Sequence, residues 1–86
     1  MEKFMTPLRR MLIQHFPNAE VELEIAEPSE RVGGFLIWDG FSGRDHIERQ
    51  DELWRVLRAN LSPDDQSKIT AVLTVTPDEL YAMREG

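Results

Sequence analysis

The chain predicts an α+β fold: a three-stranded mixed sheet with helices packed on one face, in the order α-β-β-α-α-β-α. Three observations carry this. EVELEIA at 20–26 alternates apolar and acidic residues, the period of a strand with one face in water. Thr6-Pro7, Ser62-Pro63 and Thr76-Pro77 each place a hydroxyl before a proline, the pattern that starts a helix. Residues 44–60 lie between two strand-like segments, so a helical crossover returns the third strand parallel to the second.

Taken in order, the first helix is expected from Thr6, with Leu8, Met11, Leu12 and Phe16 on one stripe, His15 beside it and Pro17 closing it. In the first strand Val21, Leu23 and Ile25 face the core, and Glu20, Glu22 and Glu24 face water. Glu27-Pro28-Ser29-Glu30 turns the chain into a second strand at 32–38. There Gly33-Gly34 marks a bulge or a continued loop, and Phe35-Leu36-Ile37-Trp38 forms an apolar run covered on both faces. The long helix at 44–60 has an apolar side of Ile47, Leu53, Trp54, Leu57 and Leu61, with Gln50 at its border. A short helix at 63–68 carries Asp64 and Asp65 at its positive end. The β-branched stretch 69–76 is the third strand. Thr76-Pro77-Asp78-Glu79 is a capping box opening a last helix at 78–84.

At 86 residues the chain is expected to be one domain, 1–86. No apolar run approaches the roughly 20 residues of a membrane span, and the first residues lack a signal-peptide core. A cytoplasmic location is expected. There is no cysteine, hence no disulfide, thiolate ligand or thiol nucleophile. The net charge of −6, with five glutamates and no base across 18–30, disfavours phosphate-backbone binding.

No catalytic set emerges. His15 and His46 are the two histidines, and neither lies in a zinc or nucleophile motif. His46 has Asp45 and Glu48 nearby, but adjacent helical residues do not face each other, so it reads as a solvated first-turn histidine. The glutamate row has carboxylates roughly 7 Å apart, too wide for a single-ion cage. Gly40-Phe41-Ser42-Gly43 has the GXXG spacing of RNA-binding KH loops, but its interior is not basic. It reads as a tight strand-to-helix turn with Phe41 folded inward. Trp38 and Trp54 read as large pieces of the core.

Read together, these segments resemble the BolA-like family. In that family a strand ends in phenylalanine, then x-Gly, then a helix with an apolar residue followed two positions on by Arg-His. Phe41, Gly43, Ile47 and Arg49 stand at those spacings. LIQHFPNAEVELEIAE resembles the family's first helix and strand, and ITAVLTVTPDE its last strand and Thr-Pro-x-Glu. The resemblance implies a KH-like fold and a role in regulation, stress response and iron–sulfur handling. It also implies pairing with a monothiol glutaredoxin around a shared [2Fe–2S] cluster held by histidines or a loop cysteine. The corresponding positions here are Gln50, Arg31 and Thr70. An amide, a guanidinium and a hydroxyl are poor ligands for iron in a sulfide cluster. His46, one helical turn before Gln50, would displace the site by about 6 Å.

The expected function is therefore a non-enzymatic adaptor or regulatory protein acting through protein–protein binding, with no cofactor and no metal site. The expected partner surface comprises Gly40, Phe41, Ser42, Gly43, His46, Arg49 and Gln50. A KH-like nucleic-acid-binding regulator and a glutaredoxin partner in iron–sulfur handling are the alternatives. The first is disfavoured by net acidity, the second by the missing histidines.

Overall fold

A computed structural model describes residues 2–85. Helix α1 (Glu2–His15) leads into the antiparallel strands β1 (Glu20–Ala26) and β2 (Arg31–Ile37). A 3-10 turn (Asp39–Phe41), helix α2 (His46–Asn60) and a short helix α3 (Pro63–Gln66) follow. Strand β3 (Ile69–Val75) returns parallel to β2, and α4 (Pro77–Glu85) completes the order. The sheet order is β1-β2-β3, so the predicted α+β class, element order and mixed sheet are those observed.

Helices α1 and α2 cover one face of the sheet. Leu8, Leu12 and Phe16 meet Val21, Val32, Leu36, Leu53, Leu57, Ile69 and Val72 in the main core. Arg9 of α1 ties the layer down by donating to the Val21 carbonyl at 2.7 Å. The expectation of helices on one face holds for α1 and α2 but not for α4, which closes a smaller apolar cluster on the opposite face because Phe35, Ile37 and Val75 present apolar side chains there for Leu80 to cover. That explains the unbroken apolar run of β2: this central strand is covered on both faces. Among the described residues no helix is long and apolar enough to cross a membrane.

Four further details differ from expectation. Helix α1 begins at Glu2, a turn before Thr6, and Pro7 lies inside it. Phe4 and Met5 pack against the core, and this burial sustains a turn that proline would otherwise end. Helix α2 begins at His46 rather than 44, because Asp45 caps it by accepting from the Glu48 N–H at 2.8 Å. Ile47 is 75 % exposed, whereas Arg49 is buried. At about 100° per residue, Ile47 lies far around the helix from Leu53 and Arg49 lies close to it. In β1, Ile25 runs beyond the cover of α1 and is exposed.

The two other hydroxyl–proline starts form as expected. Ser62 Oγ accepts from the Asp65 N–H at 3.2 Å. Thr76 Oγ1 accepts from the Glu79 N–H at 3.2 Å, while Glu79 Oε1 accepts from the Thr76 N–H at 2.9 Å, a complete capping box. The expected irregularity at the glycine pair is a register shift between Val32 and Gly33, which leaves Thr70 without a partner on β2.

Candidate functional site

The strand-to-helix turn is organised around Phe41. Trp38, just past β2, donates its indole N–H to the Pro17 carbonyl at 2.9 Å. Its ring stands edge-on to Phe16 and to Phe41, each at 5.2 Å between centroids. Phe41 is completely buried, as its inward reading required. Gly40 makes this closure possible, since a Cβ there would come within 2.5 Å of the Trp38 ring. Gly43, at φ 77°, takes the left-handed conformation that lets the chain swing into α2. Of the four turn residues expected on a binding surface, Gly40, Ser42 and Gly43 are exposed and Phe41 is internal. Replacing Gly40 with alanine is expected to cost about 1–3 kcal/mol by overpacking the Trp38 ring, measured by urea denaturation.

Arg49 also points inward. It is 4 % exposed, and its hydrogen bonds go to three residues, Arg44, Thr74 and Glu79. Its Nε donates to the Arg44 carbonyl at 2.8 Å and its Nη1 to the Thr74 carbonyl at 3.1 Å. The fork closes on Glu79, with Nη1 to Oε1 at 2.6 Å and Nη2 to Oε2 at 3.0 Å. Its guanidinium carbon lies 5.8 Å from the centre of the Phe41 ring. One side chain thus joins the turn, α2, the end of β3 and the start of α4. The Arg49 hydrogen bonds and the Thr76 N–H hold the Glu79 carboxyl down to about 2, against the opposing effect of desolvation, with the charges of Arg49 and His46 adding to the depression.

Gln50 projects from α2 onto the free edge of the sheet. Its Nε2 donates to the Val72 carbonyl at 2.9 Å and to Thr74 Oγ1 at 3.1 Å. With Arg49 on the Thr74 carbonyl, two successive outward carbonyls of edge strand β3 are occupied by side chains of α2. That blunts the edge against pairing with another strand. Gln50→Ala is expected to lower stability by about 1 kcal/mol, because the part-buried carbonyl of Val72 exchanges its protein donor for water. Chemical denaturation measures this.

Between α2 and β3 lies a groove of about 460 Å³. Trp54, Ala71, Leu73, Val75 and Met83 give it an apolar lining, and His46 and Gln50 stand at the α2 side. Leu73 and Met83 are both exposed. His46 is exposed as well and begins the helix. The groove therefore brings together His46 and Gln50, separates them from the buried Arg49 and Phe41, and adds Trp54, Leu73 and Met83, which sequence reasoning did not assign to a surface.

The donor set does not fit an iron–sulfur cluster. The Gln50 amide nitrogen, at the position where the resemblance implies an imidazole, is spent on two protein acceptors. Thr70 offers a hydroxyl to the groove wall, and Arg31 is an exposed cation at the start of β2. His46 is the sole thiolate- or imidazole-type ligand in the lining. Among the described residues no three His, Cys, Asp or Glu side chains are grouped for a metal ion.

Glu79 is the residue that sequence reading left out of the site. Its part in the capping box was legible, but its bond to a helix 30 residues away carried no local signal. No family model and no curated protein matches the sequence. Among solved structures the chain is similar to BolA1 from Arabidopsis thaliana, with a TM-score of 0.66 and 19% sequence identity. The match covers 92% of this chain and 98% of that one, so the fold is BolA-like.

Proposed function

We propose that this chain is a small, non-enzymatic regulatory or adaptor protein of BolA type that acts by binding another protein through the groove between α2 and β3. The single observation that carries this reading is the exposed apolar lining of that groove, with Leu73 and Met83 open to solvent beside Trp54. Apolar side chains of this kind are the ordinary centre of a protein interface, while a polar rim such as His46 and Gln50 fixes orientation. Gly40, Ser42 and Gly43 extend the surface at the start of α2. Phe41 and Arg49 support it from inside.

Capture from a native lysate tests the reading. The wild-type chain is expected to retain a specific protein that Leu73→Asp and Met83→Asp each release, with both variants melting as wild type does. Equal capture by wild type and both variants would remove the groove from the interface. We propose further that binding proceeds without [2Fe–2S] ligation by this chain. Reconstitution with a monothiol glutaredoxin, iron and sulfide tests this: a heterodimer-specific visible spectrum lost on His46→Ala would contradict it.

A further inference from the structure

A second cleft, of about 520 Å³, lies where α4 meets the ends of β1 and β2. Its floor is apolar, formed by Ile37 and Leu80 of the smaller core cluster. Its rim is acidic. Glu20 is the cross-strand partner of Ile37, so its side chain leaves the same face of the sheet. Asp39 opens the 3-10 turn, and Glu85 comes from the last turn of α4. None of these three carboxylates is among the salt bridges of the described residues. The cation that also lines the cleft, Arg84, is turned onto Glu22 at 2.6 Å. Tyr81 completes the wall and is 68 % exposed.

We infer that this cleft receives a lysine or arginine side chain from an exposed segment of a partner protein. An apolar floor under three carboxylates suits a group with a hydrocarbon stem and a cationic head. The stem covers Ile37 and Leu80, while the head meets the carboxylates and the face of Tyr81. A bare metal ion would leave the floor uncovered, and the carboxylates come from separate elements and form no metal-type grouping. The net charge of −6 favours encounter with a basic segment. The inference extends the adaptor reading to a partner's chemistry but rests on different residues: α4 gives Met83 to the groove, and Leu80, Tyr81 and Glu85 to this cleft.

The test is an NMR titration of the labelled protein with a short capped peptide carrying one arginine and one lysine between leucines. Its matched control carries citrulline and acetyl-lysine. Saturable shifts are expected at Ile37, Asp39, Leu80 and Tyr81 with the basic peptide only. Asp39→Asn with Glu85→Gln is expected to weaken binding roughly tenfold, and Tyr81→Ala by roughly threefold. The double change Glu27→Gln with Glu30→Gln, which removes equal charge elsewhere, is expected to leave binding unchanged. Equal weakening by both double variants, equal binding of the control peptide, or spermine binding as tightly as the peptide would each overturn the inference, as would no saturable binding. Shifts confined to Leu73 and Met83 would overturn it too, while leaving the adaptor reading of the groove intact.

Discussion

Gly34→Ala is expected to unfold the protein, or to leave it without cooperative melting. Gly34 has φ 149° and pairs with Leu23 across the antiparallel ladder. A Cβ at that position would come within 1.8 Å of the Glu22 carbonyl oxygen and 2.8 Å of its carbon. Both are backbone atoms of a paired strand, so no rotamer change relieves the contact. Separating β1 from β2 removes the hairpin on which α1 packs. A cost of about 4 kcal/mol or more belongs to this class of backbone clash. A chain of 86 residues has a total stability on the order of 4–13 kcal/mol. Gly43→Ala provides the comparison. It also stands at positive φ, 77°, but a Cβ there meets nothing within 4 Å. Its expected cost is the conformational strain alone, about 1 kcal/mol. Circular dichroism and urea denaturation of the two variants separate the effects: a folded, cooperative Gly34→Ala would contradict the close approach of the strands.

The contrast between these glycines shows what a sequence can disclose. The pair Gly33-Gly34 signals an irregular strand, and GFSG signals a turn. Neither pattern says which glycine has a carbonyl against it, because that depends on a partner strand supplied by residues 20–26. The elements themselves were legible wherever one local force dominates. Alternation gave β1, hydroxyl–proline pairs gave α3 and α4, and β-branching gave β3. Legibility failed at Thr6-Pro7, where the same hydroxyl–proline pattern lies inside a helix. Packing of Phe4 and Met5 outweighs it, and that is a tertiary effect.

The candidate site was legible to a smaller degree, for a related reason. His46, Arg49 and Gln50 fall within five residues on one helix, and a surface reading gives them one role. Their side chains diverge: His46 goes to solvent, Gln50 to the edge of β3, and Arg49 to the interior. Helical periodicity places Arg49 on the side of Leu53, but a cation there looks like a boundary residue unless its partner is known. Glu79 is that partner, and sequence distance hides it. Leu73 and Met83 carry no local signal of a surface role, because their exposure depends on which strand is last in the sheet and on where α4 packs.

Glu79→Ala is expected to lower stability by about 2–3 kcal/mol, below the ~3–5 kcal/mol for breaking a fully buried ion pair because the Glu79 side chain is 41 % exposed and water screens the pair. The asymmetry of the pair sets the direction. Arg49 is 4 % exposed, so without Glu79 its charge stays in the interior with two backbone carbonyls and the Phe41 ring. The Glu79 side chain is 41 % exposed, and its carboxylate would be partly hydrated if Arg49 were the one removed. Alanine also deletes half of the Thr76 capping box. Glu79→Gln keeps one oxygen to accept from Arg49 Nη1 and the Thr76 N–H but sets its NH2 donor against Arg49 Nη2, and is expected to cost about 1–2 kcal/mol. The pH dependence follows the same bond. The folded carboxyl is held at about 2, below its ordinary 4.5. Its contribution is complete above about 4.5 and is lost as pH falls through about 2, because the unfolded chain takes up the proton first. Urea midpoints measured between pH 6 and pH 2 are expected to fall for wild type and to fall less for Glu79→Gln. Parallel curves would show that the pair does not govern acid stability. The same variants report on binding: Arg49 and Glu79 hold α2 against the ends of β3 and α4, which together form the groove, so loosening that bond is expected to weaken partner capture even though neither side chain lines it.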